Sequence, residues 1–181
     1  MAEYDSYETV KDIIHLLIET VAFNGNLLLN VGPAADGTLP AIFVDRLRGI
    51  GDWLKVNGEA IYNTTTWNVC QNETDTGTFY TSKDKTVYVH ITKWPDDNKL
   101  TLTCPVTTNS TKAEMLGFKR RRTLSWRNTQ YTPRDGYQQQ EQRSLQQDTP
   151  SGLVLDLPPI NPATAPCQHA WVVALTGLGN S

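Results

Sequence analysis

Apolar residues near the start of the chain recur at the spacing of one helix face. This spacing predicts a helix over residues 5–23. Asp5, followed three residues later by Glu8, fits a capping box at the start of this helix, and Gly25 fits a left-handed stop at its end. The predicted apolar face consists of Val10, Ile13, Ile14, Leu17, Ile18 and Val21.

The next apolar run is continuous rather than alternating. Residues 27–31 are rich in leucine and predict a strand that is buried on both faces, as in a parallel sheet. An Asp-Gly turn follows at Asp36, and a second helix is predicted over residues 40–56, ended by Asn57. The predicted inner stripe of this helix consists of Ile42, Phe43, Leu47, Ile50 and Leu54.

A solitary parallel strand cannot hide both of its faces from water. Helix, buried strand and helix form the element order of a (β/α)8-like barrel or a doubly wound sheet, yet residues 1–58 contain one such strand. Exposure of Leu27, Leu28, Leu29 and Val31 forfeits about 1.5–3 kcal/mol each, a sum that rivals the stability of a whole domain. We therefore expect the remaining strands to lie in sequence outside this chain or in another chain.

After residue 58 the pattern is typical of short strands rich in Val, Thr, Tyr and Trp, separated by Asp, Asn, Gly and Pro. Several short strands without helices between them predict a sandwich. The predicted fold class is α/β plus all-β: the end of a (β/α)8-like barrel (helix-strand-helix) followed by a C-terminal antiparallel β-sandwich. The strand candidates are residues 78–81, 86–91, 100–103, 112–116, 153–157 and 170–175.

One stretch interrupts the β pattern. Residues 119–150 contain a basic run, a glutamine-rich run and few apolar side chains, so we interpret them as a disordered insertion. A nuclear signal or nucleic-acid patch is the alternative for the basic run, but no aromatic platform accompanies it. The predicted division is a barrel remnant at 1–58, a linker at 59–76 and a β-sandwich at 77–181.

Composition limits the classes of partner. Of the 181 residues, 39% are hydrophobic and 19% are charged, which is typical of a globular protein. The net charge of −3 gives no sign of nucleic-acid binding, and no apolar run approaches the roughly 20 residues of a membrane span. The acidic N-terminus lacks an apolar core, so we expect no signal peptide within this chain.

Three cysteines, Cys70, Cys104 and Cys167, are too widely spaced for a CxxC metal site. Their odd number leaves at least one thiol unpaired within the chain. The sequence leaves open whether all three are free or two form a disulfide.

Three Asn-x-Ser/Thr sequons predict N-glycosylation at Asn63, Asn72 and Asn109. Sequons are used only in the secretory pathway, so they indicate a secretory history. An upstream N-terminus with a signal peptide reconciles the sequons with the start of this chain.

Two N-terminal blocks carry a family resemblance. The segment 24–33, with the Asp-Gly pair at Asp36, resembles the last barrel strand and following loop of α-L-fucosidases of glycoside hydrolase family 29. The segment 53–62 is similar to the next block of that family. Further matches are residues 80–83, 94–95, 115–117 and 171–176, so the resemblance covers nearly the whole chain outside 119–150.

The resemblance implies a retaining glycosidase that removes terminal α-L-fucose from glycoproteins or oligosaccharides. Such enzymes use an Asp nucleophile and a carboxylic acid/base about 5–5.5 Å apart. In the family these groups lie upstream of the matched segment, so we expect no catalytic residue and no activity in this chain alone. The resemblance also implies no metal or cofactor, a fucosylated glycan as partner, a homo-oligomer, and a lysosomal or secreted full-length protein.

Two side chains are the predicted neighbours of the substrate. Asn30 lies near the C-terminal end of the predicted barrel strand and Asp36 follows it, on the side where barrel enzymes gather their active-site loops. The competing interpretations are a bracing amide for Asn30 and a turn residue for Asp36. Glu59 follows the second helix and is expected to bond locally.

The remaining candidate residues point to packing. No metal-ligand spacing links His15, His90 and His169, and no Gly-x-Ser-x-Gly elbow accompanies them. The tryptophans are expected mainly in the core, although exposed ones would support an alternative function as a glycan-binding or oligomer-stabilising β-sandwich module. A further alternative is a truncated product that exposes its apolar surface and aggregates. The tryptophans are Trp53, Trp67, Trp94, Trp126 and Trp171.

Overall fold

Two helices open the chain and two antiparallel sheets follow them. A computed structural model of the chain describes residues 7–118, 121–129, 151–161 and 163–180. The helices are α1 (Val10–Ala22) and α2 (Ala41–Asn57), and a short 3₁₀ helix follows at Gly58–Ala60. The strands are β1 (Thr65–Thr66), β2 (Asn72–Glu73), β3 (Thr78–Lys83), β4 (Thr86–Ile91), β5 (Lys99–Val106), β6 (Lys112–Met115), β7 (Arg122–Thr123), β8 (Ser125–Asn128), β9 (Ser151–Asp156) and β10 (Trp171–Thr176).

Helix α1 begins later than predicted. Of the predicted capping pair, Asp5 lies outside the described residues and Glu8 precedes the helix, and the predicted stop at Gly25 is wrong. The N-cap of α1 is Thr9, whose hydroxyl accepts a hydrogen bond from the Asp12 backbone N–H at 3.1 Å, while the Asp12 carboxylate accepts one from the Thr9 N–H at 3.2 Å. This reciprocal pair is the capping box. At the other end, Asn24 adopts the left-handed φ of 61°. Gly25 instead packs against Thr20, whose side chain leaves no room for a Cβ.

Helix α2 has nearly the predicted bounds, but it buries a different stripe. Ile50, Trp53 and Asn57 are buried. The predicted members Ile42 and Phe43 are only partly buried, and Leu47 is 39% exposed. The N-terminal half of the stripe therefore lacks a covering layer among the described residues.

Within the described residues, ten strands form two sheets. The first sheet has the order β1-β3-β4-β10-β6-β7, and β2 also pairs with β3. The second sheet has the order β5-β9-β8. All of these pairings are antiparallel, and the six predicted strands correspond to β3, β4, β5, β6, β9 and β10.

The central strands of the first sheet are covered on both faces. In β4, Val87, Val89 and Ile91 point into a core shared with the second sheet, whereas Tyr88 points into a core shared with the helices. Strand β10 alternates in the same way, with Val173 on the sandwich side. The result is three layers, helices on sheet on sheet, and it explains why β4 and β10 are almost continuously apolar.

A disulfide joins the two sheets. Cys70, just before β2, is bonded to Cys104 in β5, and Cys167 is free. The pairing that the sequence leaves open is thus one disulfide and one thiol. The covalent link adds to the apolar packing between the sheets.

The segment predicted as a buried strand is not a strand. Residues 25–34 form neither helix nor strand. The Leu28 side chain is 93% exposed and that of Leu29 is 40% exposed. The described residues of this chain therefore do not shelter Leu28 and Leu29, as expected for a strand without its neighbours.

The predicted disordered insertion starts too early. Strands β7 and β8 lie within residues 119–150, because Trp126 packs on the sandwich core and β8 pairs with β9. Residues 119–120 and 130–150 lie outside the described residues. The division into segments 1–58, 59–76 and 77–181 stays a prediction, although β1 and β2 belong to the first sheet.

Candidate functional site

An exposed apolar surface lies where α1, α2 and residues 27–31 meet. We call it the helical face and define it by Leu16, Leu28, Leu29 and Leu47, each of which is exposed. A cavity of about 250 Å³ opens on this face and is lined mainly by apolar side chains. An apolar surface of this kind is typical of an interface with further protein.

Asn30 borders this cavity and is exposed. The nearby Arg46 also lines the cavity, but its guanidinium is engaged elsewhere: Nε donates to the Glu8 carbonyl at 2.9 Å, and Nη1 lies 2.7 Å from the Asp45 carboxylate. Asn30 thus presents a neutral amide at the edge of the helical face.

Asp36 forms the turn that its Asp-Gly sequence predicts. Its Oδ1 accepts hydrogen bonds from the Thr38 N–H at 3.0 Å and from the Thr38 hydroxyl at 2.7 Å. These bonds hold the pKa of the Asp36 carboxyl below its usual range. Asp36 is not among the residues that line the cavity beside Asn30, so the structure does not bring the two predicted residues together there.

Glu59 is held in an ion pair. Both of its carboxylate oxygens accept hydrogen bonds from Arg121 Nη2, at 2.6 and 2.7 Å. Nη1 of the same arginine lies 3.6 Å from Glu114 in β6. The predicted local bonding of Glu59 is wrong, because its partner lies 62 residues away and ties the end of α2 to the first sheet.

His15 and His169 meet at the junction between the helices and β10. His15 Nε2 lies 2.9 Å from the His169 carbonyl oxygen and therefore donates to it. His169 lies two residues before β10 and has an unusual φ of 75°. Burial, with help from the positive charge of His15 and Lys11, lowers the pKa of His169.

His90 lies fully buried in β4 between the sheet and the helices. The Thr81 hydroxyl donates to the Ala60 carbonyl at 2.8 Å, so it accepts from His90 Nε2 at 2.9 Å. This order fixes the neutral Nε2–H tautomer and leaves Nδ1 buried without a partner. Burial lowers the pKa of His90 to about 3. A buried neutral imidazole braces the fold and does not act as an exposed acid or base.

Glu73 is an acceptor that the sequence analysis missed. Its carboxylate accepts the Thr103 N–H at 2.9 Å and the Cys104 N–H at 3.2 Å, both in β5, and also the Tyr80 hydroxyl. Glu73, Cys70 and Cys104 are the one group in the described ranges whose potential metal-ligand atoms lie within 4.8 Å of one another. Because the two sulfurs are bonded to each other, neither is available as a thiolate ligand. No short-range sequence signal marks the contact of Glu73 with β5, since Thr103 and Cys104 lie 30 and 31 residues away.

The tryptophans fall into two groups. Trp53 and Trp67 are buried, and Trp53 Nε1 donates to the Ala170 carbonyl at 2.9 Å. Trp94 and Trp171 are half-buried and contact each other edge to face at 5.0 Å. Trp126 is also half-buried. Of the five tryptophans, only Trp53 and Trp67 are therefore buried in the core.

No helix in the described part of the chain has the length and apolar character needed to cross a membrane.

Comparisons with known proteins identify the family. Residues 1–59 match the model of the family Alpha-L-fucosidase, and residues 71–134 match the model of the Alpha-L-fucosidase C-terminal domain. Plasma alpha-L-fucosidase of Rattus norvegicus is 41% identical over 98% of this chain and 35% of its own length. Tissue alpha-L-fucosidase of Homo sapiens is 37% identical over 92% of this chain and 31% of its own length.

Solved structures agree. The alpha-fucosidase of Thermotoga maritima in complex with fucose superposes with a TM-score of 0.71 at 25% identity, covering 95% of this chain and 35% of that one. Alpha-L-fucosidase isoenzyme 1 from Paenibacillus thiaminolyticus gives a TM-score of 0.70 at 27% identity, over 98% of this chain and 36% of that one.

The fold is thus one found in glycoside hydrolases of family 29. The chain belongs to the α-L-fucosidase family, which confirms both the resemblance and the predicted fold class. It spans about a third of the length of the relatives it matches.

Proposed function

We propose that this chain supplies the closing end of the catalytic barrel and the β-sandwich of an α-L-fucosidase. The whole protein removes terminal α-L-fucose from glycoproteins or oligosaccharides with retention of configuration. The Asp nucleophile and the acid/base then lie in barrel sequence outside these 181 residues, about 5–5.5 Å apart. No metal or cofactor takes part in this mechanism.

One observation carries the proposal: Leu28 and Leu29 are exposed in a chain whose relatives are about three times longer. A closed ring of parallel strands buries such residues from both sides. The helical face and its cavity supply the rest of the contact surface. Family membership supports fucoside hydrolysis as the chemistry of the completed barrel.

Within the proposal, Asn30 is the residue of this chain that lies nearest the substrate. Its exposed amide beside the cavity supports a position near the substrate, at the C-terminal end of the barrel strand. Asp36 instead stabilises the turn that shapes the neighbouring loop, because its carboxylate already accepts two hydrogen bonds from Thr38. Neither residue serves as nucleophile or acid/base.

The secretory part of the proposal rests on the sequons and on relatives named plasma alpha-L-fucosidase. Asn63 and Asn109 are exposed, which supports glycans at these sites, whereas Asn72 is half-buried in β2. A lysosomal or secreted location and a homo-oligomer remain part of the proposal.

An activity assay tests where the chemistry lies. We expect residues 1–181 alone to release no 4-nitrophenol from 4-nitrophenyl α-L-fucoside, whereas the same chain preceded by the upstream barrel sequence of its own transcript turns the substrate over. Turnover by residues 1–181 that is lost in Asp36→Asn or Glu59→Gln contradicts the assignment. An inactive longer protein contradicts the proposed function itself.

Substitution of Leu28 tests the closing of the barrel. Because Leu28 is 93% exposed, we expect Leu28→Asn to change the free energy of unfolding of this chain by no more than about 0.5 kcal/mol. In the longer protein the same change is expected to cost roughly 2–5 kcal/mol, since it places an amide in a packed core. Ile14→Asn is the matched control, because Ile14 is fully buried here and the substitution destabilises both proteins. Urea unfolding of the four variants gives the comparison, and a neutral Leu28→Asn in both proteins refutes burial of this segment.

A further inference from the structure

A second cavity lies on the β-sandwich, between the β2–β3 turn and the β4–β5 turn. Its volume is about 250 Å³, and we call it the turn cavity. None of its lining residues lines the cavity on the helical face. The turn cavity is therefore a separate feature from the end of the barrel.

One wall of the turn cavity is an aromatic ring held in a fixed orientation. Trp94 borders the cavity, and its indole Nε1 donates to Asn98 Oδ1 at 2.9 Å. The ring also packs against Trp171, with centroids 5.0 Å apart and planes at 69°. Because two contacts fix the ring, a ligand that packs on it does not have to order it first.

The remaining walls carry a balanced set of charges. Asp75 and Asp96 bring two carboxylates, and Lys93 and Lys99 bring two ammonium groups. The formal charges cancel, so the cavity favours neither an anion nor a cation. It nevertheless offers both acceptors and donors, which suit a ligand rich in hydroxyl groups.

We propose that the turn cavity binds a single neutral pyranose unit of a glycan. One face of a pyranose presents C–H groups, which pack on Trp94, while its hydroxyls donate to the carboxylates and accept from the ammonium groups. The volume is below the roughly 300–1,000 Å³ of pockets that enclose drug-sized ligands, so one sugar unit fits and an oligosaccharide extends into solvent. With few buried contacts, the dissociation constant is expected to be on the order of 1–10 mM.

The experiment is an NMR titration of the 181-residue chain with methyl α-L-fucopyranoside and with N-acetyl-D-glucosamine. N-acetylneuraminic acid and glucosamine serve as the anionic and cationic probes. We expect saturable shifts of the Trp94 indole signal with the neutral sugars and at least threefold weaker binding of the charged ones. Trp94→Ala is expected to weaken binding at least tenfold. The control Trp126→Ala removes another half-buried tryptophan that does not line the cavity, and it is expected to stay within twofold of the parent.

Asp96→Asn is the second variant, because Asp96 is exposed and its substitution does not disturb the core. We expect about three- to tenfold weaker binding, even if Trp94→Ala fails to fold. The proposal is overturned by the absence of saturable shifts up to about 100 mM neutral sugar, by equal binding of parent and Asp96→Asn, or by preference for a charged probe. It does not rest on the proposed function: an inactive full-length protein leaves the titration valid, and a failed titration leaves fucoside hydrolysis untouched.

Discussion

Loss of the Cys70–Cys104 disulfide is expected to lower the free energy of unfolding by about 3–4 kcal/mol. The bond closes a loop with a sequence separation of 34 residues, and cross-linking a loop of this length removes that much entropy from the unfolded chain in the loop-closure description. The bond also links the two sheets, so its removal weakens the interface between them. If the free energy of unfolding falls by about 2 kcal/mol per molar urea, the urea midpoint of unfolding decreases by roughly 2 M.

The measurement is urea unfolding of the parent and of Cys70→Ala/Cys104→Ala, each with and without a phosphine reductant. Reductant is expected to shift the parent to the midpoint of the double variant and to leave the double variant unchanged. Cys167→Ala is the control, because its thiol is free and the variant keeps the full response to reductant. A parent midpoint that does not respond to reductant contradicts a stabilising bond.

Glu73 is expected to preserve part of the contact between the sheets after the disulfide is lost. Its carboxylate binds the backbone of Thr103 and Cys104 directly beside the bond. Charge-assisted hydrogen bonds of this kind are about twice as strong as neutral ones. The double cysteine variant should therefore unfold cooperatively, at a lower denaturant concentration.

Strands β4 and β10 could be predicted from the sequence because a strand that is buried on both faces is apolar at nearly every position. Strand β4 has the predicted bounds, and β10 is shifted by one residue. Strands β1, β2, β7 and β8 are short and consist mostly of polar residues. They form because a longer neighbour offers free backbone groups, and no local pattern encodes that neighbour.

The helix ends show a similar limit. Two residue pairs near the start of α1 satisfy the spacing of a capping box, and the backbone selects Thr9 with Asp12. Gly25 and Asn24 both tolerate the left-handed region; Asn24 adopts it, whereas Gly25 makes the close approach to Thr20. Local propensity supplies the candidates, and packing selects among them.

The family and one uncovered surface could be predicted from the sequence, but the long-range side-chain contacts could not. The resemblance correctly identifies the family, and the solitary leucine run predicts a surface that this chain does not cover. The partners of Glu59 and Glu73 lie far away in sequence, at Arg121 and in β5, so spacing alone cannot reveal them. The same holds for the bond between Thr81 and His90.

Acidification is expected to destabilise this fold between pH 6.5 and 4.5 through His90. The unfolded imidazole titrates near 6.5, whereas burial lowers the folded pKa to about 3. The folded state thus binds fewer protons, so the stabilisation is complete above pH 6.5 and is lost as the pH falls toward 3. At pH 4.5 the free energy of unfolding is lower by about 2–3 kcal/mol, because each pH unit below 6.5 costs about 1.36 kcal/mol for a fully buried group. Asp12 and Asp36 act in the same direction but at lower pH, because their folded pKa values lie below 3.8.

His90→Gln isolates the contribution of this residue, because a glutamine amide can donate to Thr81 and does not titrate. We expect this variant to be less stable than the parent at pH 7, where packing around the amide is imperfect, but to lose less on acidification. His169 contributes to the remaining slope, because burial also lowers its pKa. His15→Gln is a comparison variant: it keeps a donor for the His169 carbonyl and leaves His90 in place, but it removes a charge that lowers the pKa of His169. Urea midpoints at pH 7, 6, 5 and 4.5 decide the matter: equal slopes for His90→Gln and the parent mean that the buried imidazole already accepts a proton in the folded state.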